Sequence, residues 1–256
     1  MSIEPDIAAC AALVEKGDPD RFLATMAAPP AARPALFTLY AANLEIARAP
    51  WVTKEPLIAR MRLQFWRDTV ADPANPPAHE VAGPLARVIA QHRLPPGLFD
   101  TMITARERDI DPVPFPDAAA LWAYLEDTSG SLMAIALRAL RSDVDEHARD
   151  WGAAQGLANY LAAVPSLTAL GRQPLPDPSG RAIAALAAEG LDRLARARAA
   201  RRKIAPQARP ALLAAWRAGP LLNQAARRPE SVAQATLTQS EFVRRATLIR
   251  AVVFGP

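Results

Sequence analysis

Prolines divide this chain into stretches whose apolar residues recur at helical spacing, and β-branched runs that alternate at strand spacing are almost absent. Apolar residues at i, i+3, i+4 and i+7 share one face of an α-helix, whereas a half-buried strand alternates with period two. The pattern therefore predicts an all-α fold. Helices are expected over about 3–16, 31–49, 55–71, 79–92, 96–110, 117–140, 145–168, 179–203, 208–226 and 236–253. Proline-rich breaks at Asp72–Ala78, Asp111–Pro116 and Pro174–Gly180 separate several of them, because proline lacks an N–H donor and restricts the residue before it. None of these breaks has the length of a domain linker, so residues 1–256 are read as one domain with a sizeable core.

Several function classes drop out early. The single cysteine, Cys10, cannot form an internal disulfide. The opening residues carry Glu4 and Asp6 instead of the basic start of a signal peptide, and no apolar run approaches the roughly 20 residues that cross a bilayer. A cytoplasmic protein, soluble or peripheral on the inner face of the cytoplasmic membrane, is expected. His79, His92 and His147 are too dispersed for a zinc site. The formal charge of +4 supports weak attraction to an anionic surface. The basic run Arg193–Lys203 spreads its cations around a helix whose buried stripe is Ile183, Ala187, Gly190, Leu194 and Ala197. A solvated helix end, with cations favourable near its C-terminus, is the first reading and an anionic membrane surface the next; without interleaved aromatic residues the run predicts no nucleic-acid binding.

Two segments read as central helices. Pro34–Ala49 puts Leu36, Leu39, Tyr40, Asn43 and Ala47 on one stripe and Thr38, Ala41, Ala42 and Glu45 opposite, so Asn43 and Glu45 are candidates to shape a cavity. Leu57–Val70 groups Leu57, Ile58, Met61, Gln64, Phe65 and Asp68 in one sector and Leu63, Trp66 and Val70 in another, which predicts packing on both faces. Arg60, Arg62 and Arg67 are then the nearest partners for Glu45 or Asp68. Gln155, Asn159 and Ala163 form a ladder at i, i+4 and i+8. Glu107 with Asp111 is expected in ion pairs or solvent, and Glu146 with Asp150 at a solvated acidic helix start.

Longer stretches carry a family resemblance. PALFTLYAANLEIARA (Pro34–Ala49) and GAAQGLANYLAAVP (Gly152–Pro165) resemble the two metal-binding helices of the squalene/phytoene synthases. Ala105–Asp111, which retains Asp109, Tyr124–Leu132 and Ala199–Leu213 resemble further segments of that family, so the likeness spans about residues 18–225. It implies an isoprenoid-synthase-like helical bundle around a central cavity. It also implies a missing metal site. Where these enzymes place aspartates that hold Mg2+ against a leaving diphosphate, this chain has Ala47, Trp51 and Ala163, and apolar side chains offer Mg2+ none of the hard oxygen ligands it requires.

Asn43-x-Glu45, the run MRLQFW (Met61–Trp66), Ala154-Gln155-Gly156-Leu157 and Val164-Pro165 are most similar to a non-catalytic branch of the family, which includes the mitochondrial assembly factor of respiratory complex I and its bacterial relatives. Ala162 departs from it, since that branch often has arginine there. The resemblance implies a protein with no catalytic residues, no cofactor and no metal, partnered by complex I subunits or assembly intermediates. Asn43, Glu45, Gln64, Asp68, Arg106, Asp109, Tyr124, Asp127, Gln155 and Asn159 are its cavity or ligand-binding candidates. The rival is a prenyl transferase whose Mg2+ sits on Asp68, Asp109 or Asp127. A third reading is a non-catalytic carrier of an isoprenoid lipid.

Overall fold

Proline opens helices here as often as it ends them, because its fixed φ suits the first turn and the N–H it lacks has no helical partner there. The computed structural model describes residues 5–111, 113–142 and 146–255, and no strand occurs among them. Helices α1 (Pro5–Gly17), α2 (Pro19–Ala27), α3 (Arg33–Arg48), α4 (Pro56–Ala71), α5 (Ala82–His92) and α6 (Pro96–Glu107) make up the first half. Then come α7 (Ala118–Leu125), α8 (Ser131–Ala139), α9 (Glu146–Ala169), α10 (Gly180–Ala200), α11 (Ala218–Arg227), the single turn α12 (Glu230–Ala233) and α13 (Glu241–Phe254). Asp18, Asp117, Ser179 and Ser240 cap α2, α7, α10 and α13 by accepting from the backbone N–H three residues on.

The all-α expectation holds, with local corrections. Helix α2 falls in the expected gap between 16 and 31; Asp18 caps it and Pro19 starts it. The expected helix 208–226 is two elements, a 3-10 stretch Pro206–Ala215 around Pro210 followed by α11. The expected helix 117–140 contains a π-helical segment, Glu126–Gly130, joining α7 to α8. The cause lies across the bundle, where α9 presses its glycines onto this segment. A Cβ on Gly152 would lie 2.2 Å from the Ser129 carbonyl oxygen, and one on Gly156 would lie 2.6 Å from the Ser129 hydroxyl. Only glycine allows this approach.

The buried side chains form a continuous cluster that extends from Cys10 to Leu237. Helix α9 runs through it, burying Trp151, Ala154, Leu157, Ala158 and Leu161. Arg193 of α10 ties the same region together, pairing with Glu126, Asp150 and Glu189 while its guanidinium lies 4.1 Å over the Trp122 ring. Asp150 is therefore paired and largely buried, not solvated, and burial pushes its carboxyl above the usual range despite Arg193 and Arg196.

Helix α4 corrects a second expectation. It packs by one face, burying Ala59, Leu63, Trp66, Thr69 and Val70, while Leu57, Ile58 and Met61 are exposed. Its arginines do not reach Glu45 or Asp68. Arg67 pairs with Asp100 and Glu107 of α6 at 2.9 and 2.8 Å, and Arg60 with Asp111 at 3.3 Å. These contacts fix the α4–α6 seam and keep the other face of α4 turned outward.

Candidate functional site

Ala47 at the end of α3, Trp51 in the turn that follows and Ala163 on α9 come together. With Arg106, Asp109, Tyr124 and Arg172 they line a pocket of about 280 Å3. Helix α6 ends at Glu107, and the backbone closes in two short turns, Asp109 N–H to the Arg106 carbonyl and Ile110 N–H to that of Glu107. This termination aims the Arg106 and Asp109 side chains at the same point. Arg106 donates to the Tyr124 hydroxyl at 2.6 Å and pairs with Asp109 at 3.2 Å, and Tyr124 donates to Asp109 at 2.9 and 3.1 Å. Burial drives the Tyr124 phenol well above its ordinary value, which the nearby Arg106 offsets only in part. The phenol stays protonated, as a donor to a carboxylate must.

The walls are aromatic and cationic. Phe115 meets Tyr124 and Tyr160 edge-on at 5.5 and 6.3 Å, and Tyr160 donates to the Pro174 carbonyl at 2.8 Å. Arg108 lies 4.0 Å over the Phe115 ring and donates to the carbonyls of Val113 and Pro114. Arg172 donates to the Asp109 carbonyl at 3.0 Å and stands 4.8 Å over the Trp51 ring. A position that resembles a metal-ligand aspartate thus carries an indole covered by a guanidinium.

This donor set does not fit Mg2+. Both Asp109 oxygens already accept hydrogen bonds, Asp111 pairs with Arg60, and Arg106, Arg108 and Arg172 border the same space. Among the described residues, no group of three or more His, Cys, Asp or Glu side chains is placed to hold a metal ion. A divalent cation needs several free oxygens and no adjoining cations.

Of the expected site residues, the structure unites Arg106, Asp109 and Tyr124 at this pocket. The amide ladder does not form. Gln155 is buried and accepts from Arg21 at 3.3 Å, while Asn159 is exposed. Arg21 in turn pairs with Asp18 at 3.0 Å and lies 5.4 Å over Tyr40, whose phenol burial pushes up to about 12. Asn43 is buried in α3 and is absent from the pocket lining. Glu45 pairs with Arg48 and faces a separate surface groove of about 380 Å3 with Val52, Ile58, Met61 and Phe65. Gln64 and Asp68 are exposed on α4, bonded to each other at 2.7 Å, which removes them from the pocket. Asp127 lies half-buried on the π segment, where burial raises its carboxyl against the pull of Arg149. Arg108, Phe115, Tyr160 and Arg172 were not among the expected site residues. Arg172 sits in a proline-rich turn whose sequence gives no sign of its reach.

A model of the squalene/phytoene synthase family matches residues 14–246. Among curated proteins, the chain is similar to NADH dehydrogenase (ubiquinone) complex I, assembly factor 6, of Homo sapiens, with 32% identity over 161 residues, 61% of this chain and 48% of the relative. It is also similar to the Drosophila melanogaster homolog, with 33% identity over 178 residues, 65% of this chain and 52% of the relative. The chain spans about half the length of the curated relatives it matches. Among solved structures, a dehydrosqualene synthase in complex with ligand matches with a TM-score of 0.76 at 18% identity, over 97% of this chain and 96% of that one. The squalene synthase HpnC of Alicyclobacillus acidocaldarius matches with a TM-score of 0.71 at 17% identity, over 88% and 94%. At that identity the likeness is one of fold, the isoprenoid-synthase helical bundle.

Proposed function

The chain belongs to the squalene/phytoene synthase family, and from that premise we propose that it is a non-catalytic member acting as a binding or assembly factor for respiratory complex I. One observation carries the non-catalytic half. The three positions where the family's aspartates would stand line one pocket as Ala47, Trp51 and Ala163, and Arg172 covers the indole. The pocket is also small, about 280 Å3 against roughly 300–1,000 Å3 for ordinary ligand sites. The similarity to complex I assembly factor 6 and its homolog supports the assembly half, with complex I subunits or assembly intermediates as partners.

We place this work at the inner face of the cytoplasmic membrane. No helix among the described residues is long and apolar enough to cross a membrane, so association there would be peripheral.

Three experiments test the proposal. Purified protein incubated with farnesyl or geranylgeranyl diphosphate and Mg2+ or Mn2+ should release no pyrophosphate; multiple turnovers would favour the prenyl transferase. Deleting the gene should lower assembled NADH:quinone oxidoreductase on native gels and leave squalene, hopanoid and carotenoid pools intact. Complementation with Ala47→Asp, Trp51→Asp and Ala163→Asp combined should rescue no better than the native chain, since the new carboxylates would face Arg106, Arg108 and Arg172 instead of a metal ion. Normal complex I beside a missing isoprenoid would overturn the assembly role.

A further inference from the structure

Helix α13 buries only Ala251 outright. Ala251, with Leu248 at its side, packs against Ala24, Leu213 and Trp216 in a small cluster separate from the main core. Polar bonds hold the helix down. Asp20 of α2 accepts from Arg244 at 3.0 Å and also from Arg217, and Arg201 donates to the Phe254 carbonyl. The opposite face is apolar and faces water. Phe242 is 83% exposed and Ile249 and Val253 are 65% exposed. Phe242, Ala246, Ile249 and Val253 follow one another at i, i+4, i+7 and i+11, which is one continuous stripe. At about 100° per residue, Arg245 borders this stripe on one side and Arg250 on the other. Arg201 packs against Gly255 at the helix end, followed by exposed Arg202 and Lys203.

We propose that α13 is an interfacial docking helix that seats the Phe242–Val253 stripe in the headgroup region of an anionic bilayer. The stripe runs roughly 16 Å along the helix at 1.5 Å per residue, about half the hydrocarbon thickness, so the helix lies in the membrane plane and does not span it. Aromatic and aliphatic side chains enter the acyl boundary while flanking arginines extend sideways to lipid phosphates. Charge selects the surface. The helix carries Glu241 against Arg244, Arg245 and Arg250, and Glu241 is already paired with two of them at the first turn. The basic residues after α10 add to the C-terminal end of α13. This inference rests on the peripheral placement proposed above and is independent of the assembly role.

The test is cosedimentation of the full chain with phosphatidylcholine vesicles, with or without a quarter of phosphatidylglycerol. The native protein should pellet with the anionic vesicles, stay in solution with the neutral ones, and be released by salt. Phe242→Gln combined with Ile249→Gln should lower partitioning at least tenfold. Arg245→Gln combined with Arg250→Gln should lower it about 25-fold, roughly fivefold for each cation near an anionic surface. Both variants should keep the native melting temperature, because the changed side chains are exposed. Native protein that ignores anionic vesicles would overturn the helix assignment and the peripheral placement together, leaving the stripe to a protein partner. Native protein that binds while both variants bind equally well would overturn the helix assignment alone.

Discussion

Replacing Asp109 by asparagine tests whether the pocket is a closed polar cluster or a cation site in waiting. The Asp109 and Arg106 side chains are 14% and 18% exposed, so the guanidinium would lose its anion in a place that water reaches poorly. Removing one member of a fully buried pair costs about 3–5 kcal/mol. Partial exposure screens some of that, which leaves about 2–3 kcal/mol. Asparagine can still accept from Tyr124, so the loss falls mainly on Arg106. Unfolding entropy near 2.1 cal/mol/K per residue gives about 0.54 kcal/mol/K for this chain, and the melting temperature should drop by about 4–6 °C. Circular dichroism melts of the native chain, Asp109→Asn, Tyr124→Phe and the double variant measure this, with a non-additive double expected for residues in one network. Mg2+ with farnesyl diphosphate should leave the native melting temperature unchanged, whereas a ligand at a hundred times its Kd would add about 2.7 kcal/mol. If Asp109→Asn melts like the native protein while Mg2+ and diphosphate stabilise it, the carboxylate is free for a metal and the closed-cluster reasoning fails.

Trp66→Ala should cost roughly 3–5 kcal/mol in urea unfolding, because the indole is buried edge-on against Phe65 and His79. Gly152→Ala should destabilise by about 1–3 kcal/mol or more, since its Cβ meets the Ser129 backbone at 2.2 Å and one of the two segments has to retreat. Asp20→Ala should speed amide exchange across 241–254 ahead of the core, as it removes the shared acceptor of Arg217 and Arg244. Burial raises the Cys10 thiol from 9.0 to about 11. The folded state therefore favours the neutral form, and that contribution is complete below pH 9 and lost as pH rises toward 11. Alkaline unfolding curves of Cys10→Ala should be flatter in that window, and native Cys10 should resist alkylation.

Helix α10 shows what sequence conveys well. Its buried stripe from Ile183 to Ala197 follows from periodicity alone, because helical spacing determines which residues share a face. Helix α2, at nine residues, is too short for periodicity to announce, although Asp18 followed by Pro19 is a readable start signal. Helix α4 was assigned two packed faces because an apolar residue reads the same whether a neighbour covers it or not. The convergence of Ala47, Trp51 and Ala163 was accessible through family resemblance. The reach of Arg172 to Trp51 and of Arg193 to Glu126 and Asp150 was not, since these pairs span tens of residues and such pairing leaves no local pattern.

The guanidinium of Arg172 over the Trp51 ring decides what a single substitution at that position can do. A carboxylate introduced by Trp51→Asp would arrive within reach of a cation already fixed in place, and would be neutralised by the protein before any metal could compete for it. Replacing Arg172 first would release the Asp109 carbonyl it now holds. Neither single change therefore opens a metal site: the first leaves the new carboxylate paired with Arg172, and the second leaves the Asp109 carbonyl without its donor. Arginine and indole act as an interlock: placing a free carboxylate at position 51 requires both residues to change together.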